Sequence, residues 1–329
     1  MKNIYLAILI IFIYSGCSSK KYFEPTIDTI DYDKKTYEFD NSIVDYNPNG
    51  ATLENSRFIS KKGISKIYLN EGYKFLNISK DTILATNDFG SLYLNDGQNI
   101  NFIEFKHKIV SAAKKDNLLA VEFSNNSIIL YDLDEKKIKY KEYFNESILN
   151  DTQIASAIFL DTIVLFPTLD GKIILVDYNK FTKIKTINLD PKSQVNNIIY
   201  LNTIGDTLVA ATDHKIFTFS NGRVHIENFD IMHLTIKGKF IYLATLDGNI
   251  IKLDQNLRII KKKKFKFAKF VTIGAGKSYI YALDIQGYLV SVDENLEDLL
   301  IFDISYDEGD KVFSLDGKLY FDDRYIVLD

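Results

Sequence analysis

Apolar residues along this chain fall into short runs, mostly five or six long, split by polar turns, and the runs recur in register. Residues 232–265 show the unit. Met232 to Ile236 reads as a strand and Lys237-Gly238-Lys239 as a turn. Phe240 to Thr245 (FIYLAT) is a second strand, Leu246-Asp247-Gly248 a turn, and Asn249 to Leu253 a third strand. Asp254 opens another turn before an outer strand over Leu257 to Phe265, so the unit predicts four antiparallel strands. The second run is the most apolar elsewhere too: TILAT at 82–86, NLLAVEF at 117–123, TIVLFPT at 162–168, TLVAAT at 207–212 and YIYAL at 279–283. A strand without polar alternation is one packed on both faces. No convincing amphipathic helical period interrupts the series.

The turns fix the spacing. Gly90, Asn126, Gly171, His214, Gly248, Gly287 and Asp323 occupy equivalent turn positions, about 39 residues apart on average. Six residues beyond them stand Asp96, Asp132, Asp177, Ser220, Asp254, Asp293 and Asp329. A hairpin-bearing unit repeated about every 40 residues is the signature of a β-propeller. The chain stops just after a third strand (YIVL, 325–328), which leaves the last unit without an outer strand. An eighth hairpin is legible near the N-terminus: ATLE at 51–54, a turn at Asn55-Ser56 and RFIS at 57–60. Asn41 to Tyr46 supplies its inner strand and SKIYL at 65–69 its outer one. Lys35 to Phe39 (KTYEF) is then free to complete the last unit and close the ring, which removes exposed edges. The prediction is an all-β, eight-bladed propeller of four-stranded antiparallel blades, closed by an N-terminal strand. Seven blades is the alternative if residues 35–70 are irregular. The Asp-Gly turns suit type I′ geometry, with positive φ.

The N-terminus follows different rules. Lys2 precedes the apolar run Ile4 to Ile13, which is too short for a permanent membrane span, and small Ser15 and Gly16 precede Cys17, the chain's only cysteine. This pattern resembles the lipobox of bacterial lipoproteins, with Tyr14 in place of the usual Leu. The resemblance implies a signal peptide over 1–16, lipidation of Cys17 and a tether over 17–34 leading to a propeller over 35–329. Acylation anchors a protein that does not span the membrane. Ser18 after the Cys, where Asp would signal inner-membrane retention, directs the protein to the outer membrane, periplasmic face. With one cysteine, no disulfide forms within the mature chain. A net charge of −4 gives no general affinity for nucleic acid.

The blades resemble PQQ-type repeats, in which an apolar strand, Asp-Gly, a second apolar strand and Asp follow one another: LATLDGNIIKLD at 243–254, LFPTLDGKIILVD at 165–177 and, more loosely, YALDIQGYLVSVD at 281–293. The absence of Trp sets this chain apart from typical repeats and removes their tryptophan-docking signature. An eight-bladed propeller on an outer-membrane lipoprotein resembles the BamB family of outer-membrane protein assembly. That resemblance implies a non-enzymatic scaffold, without cofactor, that docks on a periplasmic domain of the barrel-assembly protein and helps deliver unfolded outer-membrane clients. No family contact motif sits at matching positions, so no contact residues carry over.

Few residues offer chemistry of their own. The repeated Asp set could form a carboxylate ring for cations, but each ends a strand where it can accept backbone hydrogen bonds from the following turn. The turn reading is preferred because every blade needs it. His107, His214, His225 and His233 show no metal-ligand spacing, although His225 and His233 lie eight apart around Asp230. Gly274-Ala275-Gly276-Lys277-Ser278 lacks phosphate-loop spacing and opens no helix, so it reads as an inter-strand turn. The run Lys261-Lys262-Lys263-Lys264 could bind acidic headgroups or an acidic partner, or could blunt an outer strand's edge; the second reading is preferred. No catalytic, cofactor or metal residue is assigned, and Cys17 is the one site residue. The leading expectation is an assembly scaffold. The alternatives are an accessory propeller of another periplasmic system, such as respiratory reductase maturation, or a ligand-binding or enzymatic propeller using its central channel.

Overall fold

Eight sheets, each built on four antiparallel strands, follow one another along the chain, and one of them carries a fifth strand. A computed structural model describes residues 21–31, 36–145, 154–190 and 196–329. Cys17, the signal peptide expected over 1–16 and Lys35 lie outside the described residues. Blade 1 begins at Ile43–Asn47, and blades 2 to 8 begin at Lys74–Ser79, Ile109–Lys115, Ile158–Phe159, Tyr200–Ile204, Ile231–Lys237, Phe270–Ala275 and Val312–Leu315. In each blade the order in space follows the order in sequence, except at the closure.

Eight hydrophobic clusters explain why the sheets form a ring. Each lies between two consecutive blades. Leu119 and Val121 of blade 3 face the cluster shared with blade 2, while Leu118 and Ala120 on the same strand face blade 4. That two-sided burial is why the second strands show no polar alternation; all five residues of Thr82–Thr86 are buried. The eighth cluster joins Ile43, Ala51, Leu53 and Ile59 of blade 1 to Phe313, Leu315 and Tyr320 of blade 8.

Closure comes from the N-terminal strand. Thr36–Glu38 pairs antiparallel with Arg324–Val327, the third strand of blade 8, and supplies its missing outer strand. One backbone bond shows how complete the substitution is. In blades 2 to 7 the amide of Phe105, Phe144, Leu189, Phe229, Phe265 or Ile304, just after the outer strand, donates to the carbonyl of the blade's repeated turn residue, Gly90, Asn126, Gly171, His214, Gly248 or Gly287. Phe39 makes the same bond to Asp323 across the closure, at 2.8 Å. In blade 1 the pair is Leu69 and Ser56, also at 2.8 Å, so the equivalent turn position is Ser56 rather than Asn55.

The structure corrects several local expectations. Blade 1's outer strand is Gly63–Ile64, not 65–69. The Ser65 hydroxyl accepts from the Ile67 amide and turns the chain away. Blade 4's inner strand is only Ile158–Phe159, because the Ala155 amide bonds the Ile198 carbonyl instead of a sheet neighbour. The turn at Leu246-Asp247-Gly248 is not type I′. It closes through Gly248 N–H to Thr245 O, and only Gly248 has positive φ, at 78°. A loop of this length needs a left-handed residue only at its end. The two-residue loops Asn221-Gly222 and Asp316-Gly317 do have positive φ at both positions.

Residues 21–31 run along the propeller. Ile30–Asp31 pairs in parallel with Phe302–Asp303 and gives blade 7 a fifth strand. Phe23 is buried in the core between blades 6 and 7, edge-on to Phe265 and Tyr288, and its carbonyl accepts from Gln286.

Candidate functional site

Antiparallel alternation sorts the loops onto two faces. One, here the connection face, carries the turns between second and third strands and the links from each blade to the next. The other, the hairpin face, carries the first-to-second and third-to-fourth turns. The repeated Asp residues belong to the hairpin face and are consumed by it. Asp96 Oδ1 accepts from the amides of Gln98 and Asn99 at 2.9 and 2.7 Å. Asp132, Asp177 and Asp254 repeat the arrangement. Asp293 accepts from Asn295, Glu297 and Asp298. Hydrogen bonds from Asn99 and Gln98 hold the Asp96 carboxyl below the ordinary range. Partial desolvation opposes ionisation of Asp293, but the amides outweigh it and its pKa is also lowered. These carboxylates cap turns in separate blades, and among the described residues no group of three His, Cys, Asp or Glu converges on a metal position.

The remaining sequence candidates are dispersed. His225 is on the outer strand of blade 5 and His233 on the inner strand of blade 6, so the two do not meet. Burial lowers the His233 pKa to about 4. His214 lies on the connection face within 3.3 Å of Asp230. Gly276-Lys277-Ser278 is the turn between two strands of blade 7. Within the basic run, Lys261 pairs with Glu297, Lys263 donates to the carbonyls of Leu296 and Glu297, and Lys264 pairs with Asp247. Three of the four lysines thus fasten blade 6 to blade 7 or to its own turn.

Two depressions among the described residues bear on binding. On the hairpin face the inner strands of blades 1 to 5 surround a cup of about 460 Å³ that includes Lys61, Lys80, Lys114 and Lys115 with Asn49, Asn77 and Asn202. No carboxylate is among its lining residues. Asn49 reaches across the channel, donating to Leu76 O at 3.0 Å and Ser156 Oγ at 2.8 Å, and Ser111 Oγ continues this polar bridge at 3.0 Å. Lys80 pairs with Asp116, which offsets part of the positive charge at the lip, while Lys115 donates to the carbonyl of Leu160 and keeps its charge. A second hollow of about 550 Å³ opens between blades 2 and 3, with Phe102 and Tyr131 beside Lys114, Lys136 and Glu104. Neither is a carboxylate-lined channel.

No family model matches the chain. Two curated relatives do: the plasminogen-binding protein PgbB of Helicobacter pylori strain J99 and of strain 26695, each 30% identical over an alignment of 346 positions covering 90% of this chain. The chain spans 63% of the length of these relatives. Among solved structures, BamB from Moraxella catarrhalis superposes with a TM-score of 0.68 at 14% identity, over 88% of this chain and 97% of that one. Sqt1 from Saccharomyces cerevisiae superposes with 0.61 at 10% identity, over 89% and 97%. At these identities the structural likeness is one of fold.

Sequence reasoning missed three features of these surfaces. The strap at 21–31 has no period, because a two-residue parallel strand leaves none. The basic cup gathers lysines from three blades, which a linear reading keeps apart. Glu122 sits on an apolar second strand, 2% exposed, and neither carboxylate oxygen has a hydrogen-bond partner. Burial pushes its pKa well above the usual carboxylate range, only partly opposed by the neighbouring Ser111 hydroxyl. The lone Glu within NLLAVEF was its one visible signal.

Proposed function

We propose that this chain is a non-enzymatic propeller that binds other proteins at the bacterial envelope, held there by lipid on Cys17. The observation that carries the reading is the combination of a closed ring with a concave, basic hairpin face. There, lysines of several blades converge, while the repeated carboxylates are committed to turns. Plasminogen is the first partner to test, because it is the protein for which the relatives at 30% identity are named. A role in outer-membrane barrel assembly is the second reading, supported by the eight-bladed architecture shared with BamB and by the lipobox-like N-terminus.

The test uses the full acylated chain, captured through its lipid on a supported bilayer. Plasminogen and the periplasmic domain of the barrel-assembly protein are titrated over it separately. Saturable binding of plasminogen supports the first reading, and saturable binding of the periplasmic domain alone supports the second. If a folded, bilayer-held protein binds neither, both partner assignments fall.

A further inference from the structure

We propose that the connection-face corner of blade 6, beside the seat of Phe23, is a contact surface for anionic phospholipid headgroups and sets the orientation of the propeller on the bilayer. This rests on the lipid-anchor reading of Cys17. Phe23 is 4% exposed and wedged between blades 6 and 7, so its position is fixed by the fold. Cys17 lies six positions before it, and an extended chain of that length reaches no further than about 22 Å. A bilayer that receives acyl chains at Cys17 therefore lies within that distance of this corner.

The corner has the composition such a surface requires. Tyr22, Leu246 and Phe267 are 53%, 60% and 40% exposed, which is high for large apolar side chains. Lys21 and Lys266 flank the Phe267 ring, with Nζ at 5.4 and 5.0 Å from its centroid, and Lys269 is exposed two residues on. The loop 265–269 lies against the Leu246-Asp247-Gly248 turn through the Phe265 amide and the Gly248 carbonyl, so these side chains belong to one surface. Aromatic rings settle at the headgroup level, and each lysine near an anionic surface strengthens association by about fivefold. The neighbouring link between blades 7 and 8 carries Asp307, Glu308 and Asp310. Like charge holds that side away, so the propeller rests on its blade 6 corner and leaves the hairpin face, with its basic cup, turned outward.

Because Cys17 is the only cysteine and is consumed by lipid, an introduced cysteine is the sole free thiol. Leu246→Cys and, on the opposite face, Lys239→Cys are labelled with an environment-sensitive fluorophore in the full acylated protein. Each is reconstituted on vesicles containing phosphatidylglycerol or on pure phosphatidylcholine. The label at 246 is expected to shift to shorter wavelength and to be quenched by brominated lipid, more on phosphatidylglycerol, while the label at 239 is unaffected. The triple variant Lys21→Glu, Lys266→Glu, Lys269→Glu is expected to abolish the phosphatidylglycerol dependence. Equal quenching at both positions, or quenching at 239 alone, overturns the orientation. Mass spectrometry of the N-terminal peptide separates the two claims. Acyl chains present with no quenching at 246 overturn the membrane contact only, and no acyl chains overturn the anchor reading and this proposal together.

Discussion

Ionisation of Glu122 opposes the fold. Its carboxyl is enclosed between blades 3 and 4 without a hydrogen-bond partner, so its folded pKa is raised well above the reference value of 4.5. A raised carboxyl pKa contributes no penalty below the unfolded value and removes stability as pH rises toward the folded value. Glu122→Gln is therefore expected to match the wild type near the unfolded pKa and to exceed it at neutral pH by on the order of 1–3 kcal/mol. Urea unfolding midpoints across that range check this, and parallel curves would refute it. Gly248 offers a second measurement. A Cβ there would meet Phe265 O at 2.5 Å and Ala268 O at 2.7 Å at a φ of 78°, whereas at Gly238, φ 58°, it meets nothing within 4 Å. Gly248→Ala is expected to cost about 3 kcal/mol or more and Gly238→Ala about 1 kcal/mol in thermal or urea unfolding. At this scale the Asp caps were legible, because an acid ending a strand bonds amides two to five residues away. Glu122 was not, because its burial depends on a blade some 40 residues further along the chain.

At the scale of elements, the period carried most of the information. Second strands announce themselves by losing alternation, and the KTYEF strand falls to the last blade because that blade lacks an outer strand of its own. The failures were elements too short for any period. Gly63–Ile64, Ile158–Phe159 and Ile30–Asp31 are each two residues long; Ser65 turns the chain away after the first, and Ala155 bonds Ile198 ahead of the second. The strap makes a separable prediction. Phe23→Ala removes a buried ring, at a local cost of about 3 kcal/mol. It is expected to speed amide exchange at Ile30 and Asp31 and cleavage after Lys21, while the global unfolding midpoint changes little. If exchange at Ile30 and Asp31 stays as slow as in the wild type, the strap is not held by Phe23.

For the whole molecule, the eight interblade clusters form a closed cycle, and the Phe39–Asp323 bond repeats at the closure what Phe105–Gly90 does within a blade. Such a ring is rigid, and rigid faces suit binding with little rearrangement. The propeller was legible in the sequence because each blade repeats the same local grammar. The partner was not, because the basic cup exists only after blades 1 to 5 are brought around one axis. Under the proposed function, the protein binds other proteins through its outward, hairpin face. Photo-crosslinking residues placed at Lys61, Lys114 and Asn202 around the cup, in living cells making the acylated protein, test it most directly. One dominant protein adduct, identified by mass spectrometry, is expected from these positions and none from Leu246. Lipid-anchored, folded protein that yields no protein adduct from the cup would contradict it.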